Sequence, residues 1–173
     1  TVANALGMAF AEKYKKTGNM VTVFIGDGTI GEGIVYESFN LASLWSVPLL
    51  VVIENNRYAQ TTSVNDNLSG SFIKRAQAFG IKCGEIESNN IYDLFPLFGE
   101  IINEIRLNQS PYIQIVHTYR QNAHSKGDDY RDKKEIAEWM ERDPLIYAER
   151  EMDNDEILKI RNQVEDLLNQ VLN

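Results

Sequence analysis

The stretch MVTVFIGDGTIGEGIVYESFNLASLWSVPLLVVIENN, residues 20–56, decides the fold. Its first part, MVTVFIG (20–26), is an apolar, β-branched run that stops at Gly26 and predicts a buried strand. GIVYESFNLASLWS (33–46) predicts a helix, and PLLVVIE (48–54) a second buried strand. Strand, helix and strand in so short a span form a βαβ unit, with parallel strands and a right-handed crossover. Upstream, Val2, Ala5, Leu6, Ala9, Phe10 and Tyr14 recur at helical spacing, and Gly18 follows two lysines as a helix stop. This helix has no N-terminal signal of its own, so an N-terminal region is expected to be missing. Downstream, a polar loop leads to a helix at 71–79, a weak strand (IKCGEIE), a helix at 91–107 and a good strand at 112–118. A polar loop follows at 119–132. From Asp153 an apolar stripe (Ile157, Ile160, Val164, Leu167, Leu168, Val171) predicts a helix over 153–172, started by Asp153 and Glu156. The expected architecture is α/β: one domain over 1–173, three layers, with a mainly parallel sheet.

Composition narrows the function. The chain has 173 residues, 43% of them hydrophobic and 24% charged, with only four prolines, which argues against disorder. Its 17 Lys and Arg against 25 Asp and Glu give a net charge of −8, unsuited to non-specific nucleic-acid binding. Residues 128–156 hold 12 acids and five bases and so carry −7 of it. Cys83 is the single cysteine, which permits no internal disulfide and fits a reducing, cytoplasmic setting. No apolar run reaches the ~20 residues of a membrane span.

The chemistry concentrates after the first strand. Gly26-Asp27-Gly28-Thr29-Ile30-Gly31 stands where α/β folds place ligands, outside the carboxyl end of a strand and before a helix. Glycines there let backbone N–H groups approach a diphosphate. Asp27 would repel a bare diphosphate unless a divalent cation lay between them, and magnesium is commonly shared by a carboxylate and phosphates. That reading asks for further oxygen ligands on a neighbouring strand, and the second strand ends in Glu54-Asn55-Asn56-Arg57-Tyr58. Gly-Asp-Gly is also a common turn, and Asn-Asn ordinary loop chemistry. Their coincidence at the ends of two strands of one βαβ unit is what argues for a site.

Gly-Asp-Gly, 26 intervening residues (29–54) and Asn-Asn resemble the thiamine-diphosphate motif. Glu37, Asn40, Leu41, Ala42, Trp45 and Pro48 match the pattern of the α subunits of 2-oxo acid dehydrogenase decarboxylase components. The match continues through Arg75-Ala76, Phe79-Gly80-Ile81, Thr118-Tyr119-Arg120, His124-Ser125, Asp128-Asp129, Tyr130-Arg131, Trp139 and Arg142-Asp143-Pro144. The resemblance implies that Asp27, Asn56 and the main chain of Tyr58 hold magnesium and that the backbone of Gly28 and Thr29 meets the diphosphate. Asn55 is then structural. It also implies that His124, on a mobile loop, contacts the cofactor and assists acyl transfer. A histidine in a polar loop suits such work near neutral pH, whereas His117, inside an apolar strand, reads as a satisfied core residue. Ser125 matches a position that is phosphorylated in some members. The implied reaction is oxidative decarboxylation of a 2-oxo acid, with pyruvate, branched-chain 2-oxo acids and acetoin as candidate substrates. The implied partners are a β subunit, in an α2β2 heterotetramer, and a lipoyl-bearing acyltransferase.

The chain departs from that pattern at Ala123, where glycine is usual, and at Asn122, Ile115 and Glu87-Ser88-Asn89-Asn90. None of these is a magnesium or diphosphate residue. Three other readings stay open at this point. A transketolase-type enzyme would share the diphosphate module but not the loop motifs. An NAD-binding Rossmann oxidoreductase would use Gly26, Gly28 and Gly31, but Glu54 stands later than its ribose-binding acid should. A non-catalytic module would keep the motifs for architecture alone.

Overall fold

Parallel strands need crossovers, and the chain supplies them by alternating short apolar runs with helices. The structure is a computed structural model that describes residues 1–125, 127 and 129–172. In chain order its elements begin α1 (Val2–Lys15), β1 (Val21–Gly26), a 3-10 turn (Asp27–Gly31), α2 (Gly33–Leu44) and β2 (Leu49–Asn55). A small hairpin, β3 (Tyr58–Ala59) and β4 (Thr62–Ser63), leads to α3 (Val64–Asn67), α4 (Phe72–Ala78), β5 (Lys82–Ile86), α5 (Ile91–Asn108) and β6 (Tyr112–His117). The chain ends in α6 (Lys133–Met140), α7 (Pro144–Arg150) and α8 (Asn154–Leu172).

The four main strands form one parallel sheet in the order β1-β2-β6-β5. Side chains alternate faces along each strand, so the register decides which residues share a layer. Val23, Val51, Ile113 and Cys83 line up across it, and Ile25, Ile53, Ile115 and Glu85 follow two residues on. That face packs on Ala5 and Ala9 of α1, Val35 and Phe39 of α2 and Ala76 of α4. The opposite face presents Leu50, Val52, Tyr112 and Val116 to Ile101 and Ile105 of α5. The expected three-layer arrangement is therefore present, with the small residues of α1 in close packing.

Three details differ from the sequence reading. β1 is an edge strand: Val23 and Ile25 are buried, but Phe24 on its other face is 61% exposed. The glycine-rich loop enters a 3-10 turn before α2 begins, so it is not the first turn of the α-helix itself. The polar segment after β6 gives way to α6 and α7, which carried no clear apolar period. Both are started by acids: Asp132 Oδ1 accepts from Lys134 N at 2.9 Å and Asp143 Oδ1 from Leu145 N at 2.8 Å. Asp153 likewise accepts from Glu156 N at 2.8 Å, ahead of α8. α8 leaves Leu158, Val164, Leu167 and Leu168 exposed. Among the described residues no helix is long and apolar enough to cross a membrane.

Phe39 is 2% exposed and meets the rings of Tyr36 and Phe79 edge-on. Phe39→Ala is expected to lower unfolding free energy by about 3–5 kcal/mol, read from denaturant titration.

Candidate functional site

The pairing of β1 with β2 sets Gly26 opposite Glu54, so the chain leaves both strands at the same level. Asp27 follows at once and Asn55 and Asn56 close by. Asp27 is 2% exposed. One carboxylate oxygen, Oδ1, accepts from Gly28 N at 2.8 Å, while Oδ2 is buried without a hydrogen-bond partner. Burial pushes the Asp27 carboxyl above the ordinary aspartate range, against the smaller effect of backbone N–H groups that favour the anion. Buried polar oxygens in native proteins are nearly always satisfied. Among the described residues Gln114 Oε1 and Tyr119 Oη are also buried without a partner, but of the three only Asp27 is a carboxylate and lines a cleft at a strand end.

On the neighbouring strand end, two asparagine side chains fold back on the main chain. Asn55 Oδ1 accepts from Arg57 N at 3.1 Å and Asn56 Oδ1 from Tyr58 N at 3.0 Å. Arg57, at φ 69°, takes the left-handed conformation that completes the bend. An amide oxygen has two lone pairs, so Asn56 keeps one for a further partner. Asp27, Gly28, Thr29, Asn56, Tyr58 and Gln60 line part of a cleft of about 460 Å³. Its acids are Asp27 and Glu32, and no Lys or Arg lines it. Gly28 is required by space: a Cβ there would stand 2.6 Å from Ala59 Cβ.

Behind Tyr58 lies a cluster of aromatic and guanidinium groups that the sequence reading quoted without giving it a role. Tyr58 Oη donates to Glu135 of α6 at 3.2 Å. Tyr119 and Trp139 stack at 5.1 Å, and the guanidinium of Arg131 lies 5.0 Å from the Tyr119 ring and 5.8 Å from that of Tyr58. The Arg131 side chain is only 4% exposed; it pairs with Asp129 at 2.7 Å and donates to the carbonyl oxygens of Arg120 and Asn122. One arginine thus joins the loop after β6 to the turn after β2. The only advance sign was that aromatic and basic residues crowd an otherwise polar loop.

The structure brings five of the six expected site residues, Asp27, Gly28, Thr29, Asn56 and Tyr58, around one cleft. His124 does not line it; it is exposed on the loop after β6, with Ser125 beside it. Asp128, quoted in the loop motif, lies outside the described residues. His117 is held by Glu85 and Asn55. Among the described residues no three His, Cys, Asp or Glu side chains gather as a metal cluster. A cation held by Asp27, Asn56 and the Tyr58 carbonyl would have one carboxylate and otherwise neutral oxygens, with Glu32 also on the lining. The orphaned Oδ2 of Asp27, the free lone pair of Asn56 and the cleft's lack of cations fit magnesium carrying a diphosphate. One contact is already taken: the Gly28 N–H would have to be shared with Asp27.

Two measurements follow from this geometry. A buried, partnerless carboxylate opposes folding, so Asp27→Asn is expected to raise the melting temperature of ligand-free protein at pH 7. The Arg131 guanidinium holds the Asp129 carboxyl down to about 2. A lowered carboxyl helps folding above its unfolded value and loses that help as pH falls toward 2. Arg131→Met should return Asp129 to near ~3.9, read by NMR titration.

Comparison with known proteins agrees with this architecture. The model of the dehydrogenase E1 component family matches residues 1–171. The pyruvate dehydrogenase E1 component subunit alpha of Rickettsia typhi is 39% identical over 143 residues, covering 81% of this chain and 44% of that protein. The protein of the same name from Rhizobium meliloti is 32% identical over 177 residues, covering 96% and 51%. The chain thus spans about half the length of the relatives it matches. Among solved structures, transketolase from Campylobacter jejuni superposes with a TM-score of 0.58 at 22% identity, over 67% of this chain and 19% of that one. Transketolase from Leishmania mexicana gives 0.56 at 23%, over 68% and 19%. These two show a shared fold, whereas the match along nearly the whole sequence shows descent: the chain belongs to the dehydrogenase E1 component family.

Proposed function

We propose that the chain is the thiamine-diphosphate- and magnesium-binding domain of the α subunit of a 2-oxo acid dehydrogenase, spanning 1–173 of a longer protein. The observation that carries this reading is the buried, partnerless Oδ2 of Asp27 beside Asn56, at the ends of adjacent parallel strands. Asp27 Oδ2, Asn56 Oδ1 and the main-chain carbonyl of Tyr58 would hold magnesium. Thr29, together with a shared N–H from Gly28, would meet the diphosphate. Because the cleft offers no Lys or Arg, neutralisation of the diphosphate falls to the metal. When bound, thiamine diphosphate supplies the electron sink for decarboxylation of the 2-oxo acid.

The protein's own residues bind, orient and exclude. The missing Cβ at Gly28 lets the 3-10 turn lie against the β3–β4 hairpin. His124, on the loop that Arg131 ties down, is the candidate to exchange a proton during acyl transfer to a lipoyl group. Within this proposal a β subunit completes the active site in an α2β2 assembly, a lipoyl-bearing acyltransferase takes the acyl product, and the setting is cytoplasmic. The family match favours this reading over a transketolase-type activity, which shares the diphosphate module.

The test is calorimetry on the full-length α subunit co-expressed with its β subunit. Asp27→Ala is expected to weaken magnesium-dependent thiamine diphosphate binding more than about 100-fold, since loss of a mere supporting contact costs 10–100-fold. Undiminished binding would remove the assignment.

A further inference from the structure

Asn55 and Asn56 stand side by side in sequence but face different neighbours. Asn56 turns to the cleft. Asn55 is paired in register with His117 on β6, and its side chain is packed away at 5% exposure. Asn55 Nδ2 lies 3.3 Å from His117 Nδ1. On the far side of the imidazole, His117 Nε2 lies 2.7 Å from Glu85 Oε1 on β5. The His117 side chain is 12% exposed and that of Glu85 42%. Since β2, β6 and β5 are consecutive neighbours in the sheet, the contacts run across three strands, from a half-exposed carboxylate inward to the turn after β2.

The two ends of this chain together give it a direction. A carboxylate only accepts, so Nε2 carries the proton and donates to Glu85. Asn55 Oδ1 is already taken by a main-chain N–H, so its amide N–H faces Nδ1, which accepts in the tautomer that carries its proton on Nε2. That orientation leaves Asn55 Oδ1 facing the other way, where it accepts from Arg57 N at 3.1 Å. If the Asn55 amide were reversed, an oxygen would face the Nδ1 lone pair and an N–H would face the Arg57 N–H. The histidine therefore holds the amide in the one orientation that supports the left-handed bend at Arg57. The bend in turn places Asn56 and the Tyr58 carbonyl.

Resting on the metal-site reading above, we propose that His117 and Asn55 form a positioning relay, with Glu85 holding the imidazole in place. The relay orients the Asn56–Tyr58 turn, so that His117 governs magnesium affinity without touching the metal. Outer partners of this kind orient ligands in known metal sites. The relay also gives His117 a role beyond filling space at the end of an apolar strand.

The test titrates magnesium at saturating thiamine diphosphate into the full-length α subunit with its β subunit, read by calorimetry, beside melting temperatures of the ligand-free proteins. His117→Phe keeps an aromatic ring but removes both nitrogens, and its magnesium Kd is expected to rise about 10–100-fold. His117→Asn places an acceptor where Nδ1 stood and loses only the Glu85 contact. It is expected to restore Kd to within about threefold of the parent, a small fraction of the loss typical of an outer partner. That rescue should hold even though its melting temperature falls with that of His117→Phe, which a merely structural histidine would not allow. An unchanged Kd in His117→Phe, or equal weakening in both variants, overturns the relay. Asp27→Asn serves as reference. If it binds magnesium undiminished, the metal-site reading fails and the relay with it; if it loses binding while His117→Phe does not, the relay alone fails.

Discussion

The hydrogen-bond ladder between β1 and β2 is the constraint on which the rest depends. It runs in register from Val21 opposite Leu49 to Gly26 opposite Glu54 and ends both strands at one level. A slip of a single residue would turn every side chain of β1 to the other face and carry Asp27 away from Asn56. The register is held by burial on one face only, through Val23 and Ile25 against Val51 and Ile53. Packing of α1 and α2 on that face therefore also sets the geometry of the cleft. The site is a by-product of a correctly aligned core.

At the end of β1 the core's rules are broken. Almost every buried group is apolar or bonded, yet Asp27 carries a carboxylate oxygen with no partner. Around it the structure is fully specified: two asparagine turns, a left-handed arginine and a glycine with no room for a side chain. Local order of this quality beside a buried, partnerless carboxylate oxygen is the pattern expected of a site that gives up stability for binding. A second layer supports it. His117 and Asn55, with Glu85 holding the imidazole, brace the turn from within the sheet, and Arg131 with Glu135 braces it from the loop and α6.

Much of this could be read in the sequence because its strongest signals are local. The apolar runs at 20–26, 48–54 and 112–118 and the helical stripes between them carry their periods within one element. The glycines and asparagines likewise declare their turns. What escaped depends on contacts distant in sequence. Nothing in VTVFIG says that one face stays open, because burial of Phe24 is decided by what lies beside β1. The polar segment that becomes α6 gains its helix from an aspartate cap and from Trp139 stacking on Tyr119, not from an apolar stripe. His117 was legible as satisfied, but its partners come from two other strands. Arg131 stands 73 residues after Tyr58, and only the folded chain shows that they meet.

The open face of β1 has a colloidal consequence. The strand is six residues long, β-branched and aromatic, and has neither a charge nor a proline to guard it. Edge strands of that composition are templates for pairing with another copy. Against this stands the net charge of −8, which keeps copies of the chain apart. That repulsion reaches only about 8 Å at physiological ionic strength, and less as salt is added. Added salt shortens that reach, so pairing of the isolated chain through its β1 edge is expected to grow with ionic strength.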